Sequence, residues 1–254
     1  MKLSFKKFNF DHAALALMGL TILACGGGSG DGGTDRILTR NFYAVNASYS
    51  ENPLKFNVAS QDIETTGAGV FALERGKISG SRATFVNKQL DPIPYVIKNA
   101  TTDATLVSGS QQVTSSDRHF VVAFGPESAT KALIIPLEPI LGTKVVFDAA
   151  QMDSSETRAL DLYLLSAGQT LATASPTFTG LKYDPLTPQF MVQQKIMEMG
   201  GSYTLKVVPT GTKTEIAEYT QPVTLKDKFF NLFIFTKDSA GRDQLLLEQK
   251  RAPG

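Results

Sequence analysis

The chain has 254 residues, 42% of them hydrophobic, with 25 basic and 24 acidic side chains and a formal net charge of +1. So balanced a charge gives it no electrostatic reason to seek nucleic acid or an anionic lipid surface. One cysteine, two histidines and no tryptophan exclude a disulfide framework and leave no ligand set for zinc.

The first segment has the anatomy of a targeting signal. Lys2, Lys6 and Lys7 form a positive stretch, Asp11 and His12 follow, and Ala13 to Ala24 is continuously apolar or small. That run suits a signal peptide and falls short of the ~20 residues a membrane-spanning helix needs. It ends in Ile22-Leu23-Ala24-Cys25, which resembles the bacterial lipobox. The resemblance implies cleavage between Ala24 and Cys25 and acylation of Cys25 by a diacylglycerol and an amide-linked chain. The lipid is the only prosthetic group expected, with no cofactor and no metal. Two or more acyl chains hold a protein stably on a bilayer. Gly26, at the position where an aspartate retains enterobacterial lipoproteins in the inner membrane, points to outer-membrane sorting if the source is a diderm bacterium. Residues 1–24 are therefore predicted to be removed, leaving 230 residues with 22 basic and 23 acidic side chains.

Residues 25–36 are predicted to be a tether. Gly26 to Asp35 reads GGGSGDGGTD, with nothing apolar to bury and maximal backbone freedom to lose on ordering. Ten such residues reach about 16–19 Å on average.

The remainder repeats itself. Tyr95-Val96-Ile97-Lys98 recurs as Tyr203-Thr204-Leu205-Lys206, and Gln111 to Arg118 matches Gln221 to Lys228. Val45-Asn46-Ala47 followed by Leu54 to Val58 matches Phe147-Asp148-Ala149 followed by Leu160 to Leu164. Matches kept in order, with drifting spacings, indicate a duplication. Leu54/Phe56/Val58, Leu160/Leu162/Leu164 and Tyr203/Leu205/Val207 alternate with period two, the signature of half-buried strands. Turn chemistry at Glu51-Asn52-Pro53, Glu74-Arg75-Gly76, Gly200-Gly201 and Pro209-Thr210-Gly211 separates the runs. Only Val192 to Met199 suggests a short helical turn, stopped by Gly200-Gly201. The fold class is therefore all-β, with two tandem sandwiches of immunoglobulin-like or transthyretin-like type. Sandwich 1 is placed at 37–141 and sandwich 2 at 142–250, joined by the stiff stretch Pro136 to Gly142 and expected to touch.

These motifs resemble a bacterial secreted or lipoprotein domain of unknown function, often found in tandem. Its copies open with "HASPDAP" and "VDVYV" and later carry "AGTYTVxVTPAGT". Val45 to Val58 is similar to the opening, as is Leu160-Asp161-Leu162-Tyr163-Leu164 in the second copy. Gly200 to Thr212 (GGSYTLKVVPTGT) matches the later motif almost position for position. The family's histidine is Asn46 here, and the first copy keeps only Pro94 to Lys98 of the later motif. The resemblance implies a sandwich fold and assigns no chemistry.

Catalytic candidates are scarce. His119 is the one histidine outside the signal, and it sits within the strand-like run Arg118 to Phe124. A packed or solvated side chain is the expected reading, not a triad base. Asp153-Ser154-Ser155-Glu156 and Asp238 to Asp243 are acidic but lack the regular oxygen spacing of a calcium loop. They are expected to be solvated turns, with Arg242 pairing the aspartates. Phe229 to Phe235 is apolar on both faces. Phe230/Leu232/Ile234, aligned with Phe120/Val122/Phe124, are taken as the core face. Phe229 and Phe233, on the other side, are a possible interface, covered either by domain packing or by a partner. The sequence thus indicates a non-enzymatic, lipid-anchored envelope protein that binds a protein or polymer. A carbohydrate-binding or hydrolytic module is the alternative, and a spacer without ligand a third reading.

Overall fold

The computed structural model describes residues 37–251 except 66–68, 80–82, 89–90, 114–116, 138–143, 185–190 and 198–199. Its named elements are seventeen strands and two single-turn 3-10 helices. The first half holds β1 (Ile37–Ser48), β2 (Leu54–Val58), β3 (Gln61–Asp62), β4 (Lys77–Ile78), β5 (Ala83–Lys88), β6 (Ile93–Asn99), β7 (Thr105–Gln111), β8 (Arg118–Gly125) and β9 (Lys131–Pro136). The second holds β10 (Val145–Gln151), β11 (Leu160–Leu165), β12 (Phe178–Leu181), β13 (Val192–Met197), β14 (Gly201–Pro209), β15 (Gln221–Leu225), β16 (Phe229–Lys237) and β17 (Asp243–Arg251).

Each half makes two sheets of the same topology. In the first, β4-β1-β8-β9 form one sheet, with β5 also paired to β1, and β3-β2-β6-β7 form the other. In the second, the orders are β13-β10-β16-β17 and β12-β11-β14-β15. The β1–β8 and β10–β16 pairs are parallel and the rest antiparallel. The internal repeats therefore correspond to a doubled architecture.

Three apolar layers separate four stacked sheets. Phe42, Leu54, Phe56, Ile93 and Ile97 lie between the two sheets of the first sandwich. Phe147, Leu160, Leu162, Leu205 and Phe235 do the same in the second. Between the sandwiches, Tyr43, Val45, Phe120 and Val122 meet Ala150, Phe230, Leu232 and Ile234. The sheets holding β8 and β16 are thus inner sheets, covered on both faces, while the sheets holding β6 and β14 are outer sheets with one face to solvent. That is why β8 and β16 are buried at nearly every position and read as unbroken apolar runs. The outer strand β2 alternates buried and half-buried instead.

This stacking corrects the assignment of faces. Phe120/Val122/Phe124 and Phe230/Leu232/Ile234 are core residues, but of the layer between the sandwiches, where Phe120 meets Phe230 edge-on at 6.3 Å. Phe233 is not an outward surface: it is fully buried inside the second sandwich, edge-on to Phe147 at 5.9 Å. Phe229 is half-buried, with the Lys226 ammonium 5.3 Å from its ring centre. Residues 192–197, expected as a helical turn, form strand β13 on β10, because pairing along β10 overrides a weak local signal. The repeat register also shifts. Val122 and Leu232 are equivalent, and their parallel partners are Val45 and Asp148, so Val45 aligns with Asp148 and not with Phe147. A one-residue slip of this kind exchanges the two faces of a strand.

Polar contacts close the seam between sandwiches. Thr236 Oγ1 donates to the Ala47 carbonyl at 2.9 Å. Arg75 donates to the carbonyls of Ser48 (2.9 Å) and Lys237 (2.5 Å) and to the Gln244 side chain. Within the first sandwich, Gln111 treats β9 as a neighbouring strand would, donating to Ile134 O at 2.7 Å and accepting from Ile134 N at 2.8 Å. Its side chain thereby caps an edge that would otherwise be open to pairing.

Candidate functional site

The solvent face of the first outer sheet carries a hollow of about 490 Å³, lined by Lys55, Asn57, Asp62, Phe71, Val96, Lys98 and Asp103. Strand periodicity builds it. Leu54, Phe56 and Val58 of β2 turn into the core, so Lys55 and Asn57 turn out. On β6, Ile97 turns in while Val96 and Lys98 turn out. Antiparallel pairing then sets Lys55 directly opposite Lys98 and Asn57 opposite Val96.

Two facing lysines repel, and Asp103 resolves the conflict. Its carboxylate accepts from Lys98 at 3.1 Å and from Lys55 at 3.3 Å. The Lys98 hydrogen bond, then that of Lys55, holds this exposed carboxyl below the usual carboxylate range. Asp103 reaches between them from a tight turn in which it adopts a left-handed backbone, φ +59°. Asn99 shapes that turn: its side-chain oxygen accepts from the backbone N–H groups of Thr101 (2.8 Å) and Thr102 (3.1 Å). Asn99 is anchored in turn to Glu127 at 2.6 Å, and Glu127 also accepts from Ser50 (2.7 Å) and Asn52 (3.2 Å). Those bonds, Ser50's first, hold the Glu127 carboxyl low as well. Across the hollow, Asn57 Nδ2 donates to Asp62 at 2.7 Å. Two cations, two carboxylates, an amide and a phenylalanine thus share one concave surface with no net charge.

The corresponding face of the second sandwich is mostly closed. Tyr163, Leu165 and Val208 point outward there, yet they are buried beneath Leu171 and Ala174 of the loop after β11. Lys213 secures this cover: its ammonium sits 4.4 Å from the Tyr163 ring centre and donates to Tyr163 Oη (3.1 Å) and Ala174 O (3.2 Å). A smaller hollow of about 360 Å³ remains beside the loop, lined by residues including Ser166, Gln169, Ser202, Thr204 and Lys206.

The two acidic stretches converge at the seam. Asp153 is 1% exposed and not a solvated turn: it pairs with Lys237 at 3.3 Å and accepts from Tyr49 Oη (3.3 Å) and Ser155 (2.8 Å). Lys237 also holds Asp243 at 2.5 Å, and Glu156 pairs with Arg158 at 2.5 Å. Desolvation, then the charge of Asp153, pushes the Tyr49 hydroxyl up to about 12. Lys237 occupies the place a cation would take, and among the described residues no group of three or more acidic, histidine or cysteine side chains is arranged to hold a metal. Arg242 pairs with Asp238, at 2.7 Å, but Asp243 pairs with Lys237 instead, so only one of the two aspartates has the partner expected.

His119 lies inside the first sandwich, fully buried and stacked on Phe42 with ring centres 5.0 Å apart. Desolvation, helped by the Arg40 charge, lowers its pKa to about 3, so it is neutral and out of reach of a substrate. Ala24 and Cys25 lie outside the described residues. The hollow's residues were not singled out from the sequence. The available signal was the pair of outward lysines on β2 and β6, read together with the Asn99–Asp103 turn.

No family model matches the chain, and no curated protein does. Among solved structures it is similar to a family 26 carbohydrate-binding module of Eubacterium rectale Amy13K in complex with maltoheptaose, at 6% identity over 84% of this chain and 98% of that one, with a TM-score of 0.28. It is also similar to the family 41 modules of streptococcal virulence factors that recognise α-glucan, at 11% identity over 81% and 96%, TM-score 0.26. A streptococcal ancillary pilin follows at 10% identity over 74% and 59%, TM-score 0.21. Scores this low establish neither a common site nor a common ligand, and the fold class rests on the four sheets themselves.

Proposed function

We propose that this chain is a lipid-anchored, non-enzymatic binding module of the cell envelope, and that it holds a neutral polysaccharide segment in the hollow of the first outer sheet. The hollow carries the reading. Its volume falls in the range of ligand sites, and its lining joins a small apolar surface (Phe71, Val96) to convergent donors and acceptors. A sugar offers the same combination, a C–H face for the ring and hydroxyls for Asn57, Asp62 and the lysines. The balance of two lysines against two carboxylates disfavours a strongly charged polymer. The Asp103 carboxyl, held low by Lys98 and Lys55, is unsuited to the general-acid role that glycoside hydrolysis requires, which favours binding. Anchoring rests on the sequence alone, on the apolar run ending at Cys25 and on the glycine tether that follows.

Retention on immobilised neutral polysaccharides (amylopectin, dextran, galactomannan and xyloglucan), with hyaluronan as the acidic control, tests the ligand. The expected result is retention on at least one neutral polymer, weakened tenfold or more by Asn57→Ala with Lys98→Ala. Retention on none, or retention unaffected by the pair, refutes it. Radiolabelled palmitate entering the wild type but not Cys25→Ala tests the anchor.

A further inference from the structure

We propose that the second outer sheet carries a second polysaccharide site, so that one chain bridges two polymer strands. The inference rests on the function proposed above for the first hollow. The smaller hollow lies on the corresponding strand of the duplicated unit: Thr204 and Lys206 of β14 turn outward as Val96 and Lys98 do on β6. Its lining repeats the chemistry. Lys206 is neutralised by Glu215 at 2.5 Å, as Lys98 is by Asp103, and hydroxyls and an amide come from Ser166, Ser202, Thr204 and Gln169. The Tyr203 ring, by contrast, turns inward with Leu205 and Val207, so polar groups dominate this hollow.

The stacking order gives the pair its consequence. The two outer sheets are separated by the two inner ones and expose their free faces in opposite directions. Three sheet-to-sheet spacings of about 10 Å put the faces roughly 30 Å apart. One short chain segment cannot occupy both at once, so the second site adds cross-linking and not avidity on a single strand. The apolar layer between the sandwiches keeps the two faces pointing apart.

The test is the full chain mixed with each of the four neutral polysaccharides, followed by turbidity across a protein titration and by calorimetric stoichiometry. Two sites per chain are expected, with turbidity that rises and then falls as protein saturates the polymer. Ser202→Ala with Lys206→Ala should halve the stoichiometry and abolish turbidity while leaving the first site's affinity within twofold. Asn57→Ala with Lys98→Ala should do the reverse, and an unchanged circular-dichroism spectrum shows each variant folded. One site per chain, unaltered by the Ser202/Lys206 pair, overturns the bridge and leaves the first site standing. Binding to none of the four polymers overturns the proposed function itself.

Discussion

His119 makes the stability of the first sandwich depend on pH in a way the structure quantifies. Its ring is fully buried against Phe42, and neither ring nitrogen has a hydrogen-bond partner among the described residues. Desolvation first, and the Arg40 charge second, bring its pKa from 6.5 down to about 3. The folded state therefore refuses a proton that the unfolded chain accepts. Stability contributed by the neutral ring is complete above pH 6.5 and is lost progressively as pH falls from there toward 3. Each unit of separation is worth 1.36 kcal/mol, so lowering the pH from 7 to 5 costs about 2 kcal/mol through this one group. For a chain of this size that is a fall in Tm of roughly 4–8 °C. The carboxylates titrate over part of the same range, so the informative quantity is a difference. Urea unfolding of wild type and His119→Leu at pH 7 and pH 5 should show the wild type losing about 2 kcal/mol more than the variant. At pH 7 the variant should equal or exceed the wild type, because leucine removes two unpartnered polar atoms from an apolar site. Parallel losses in the two proteins would mean that the imidazole reaches water or a partner in the native state, and the reasoning would fail.

Other consequences concern packing. Phe233→Ser should destabilise by about 3–5 kcal/mol, seen as a lower urea midpoint, because the ring fills the second sandwich's core. Loss of a partner with stability intact would contradict that placement. Leu232→Lys places a charge in the layer between the sandwiches, and calorimetry should show two transitions for the variant where one is expected for the wild type. Asp153→Ala removes the buried partner of Lys237 and Tyr49, while Asp243 still neutralises the lysine. A cost of about 1–3 kcal/mol is expected, reduced in a Tyr49→Phe background as measured by a double-mutant cycle.

Strand periodicity was legible because one-sided burial leaves a period-two trace. Leu54/Phe56/Val58 and Leu160/Leu162 needed no tertiary knowledge to be recognised as inward-facing. The inner strands were harder for the opposite reason. With both faces of β8 and β16 buried, alternation vanishes, and nothing local tells the sandwich face from the seam face. Phe233 was consequently placed outside when it lies inside. The repeat alignment suffered in the same way. Asn46 and Asp148 look equivalent as buried polar residues in similar strands, yet the ladders with β8 and β16 set them one position apart. Another slip occurred in the outer sheets. The matches of Val58 with Leu164, of Tyr95 with Tyr203 and of Gln111 with Gln221 cannot all hold: Val58 stands opposite Tyr95 but Leu164 opposite Leu205, and Tyr95 and Tyr203 stand opposite Gly109 and Val223. The hollow was invisible because its residues come from three strands (β2, β3 and β6), the stretch after β3 and the turn after β6. Only the cross-strand register brings Lys55 to Lys98 and Asp103 to both.

The arrangement of layers also limits where this protein can bind anything. A cysteine-free sandwich of about 100 residues must stabilise itself by apolar burial alone, and a small domain buries a smaller fraction of its surface than a large one. Placing the two inner sheets face to face joins Tyr43, Phe120, Val122, Phe230, Leu232 and Ile234 in a single core layer. Each such side chain contributes about 1.5–3 kcal/mol when fully buried. That gain uses up one face of each sandwich as a surface, and the seam's polar contacts close its rim. The sheet faces that remain are the two outer ones, where the second copy has drawn a loop over Tyr163 and Leu165 and the first has left Lys55, Asn57 and Lys98 uncovered. The two copies of the unit thus meet the same stability requirement at the seam and differ at the ends, which is where a difference can alter what is bound without weakening the fold.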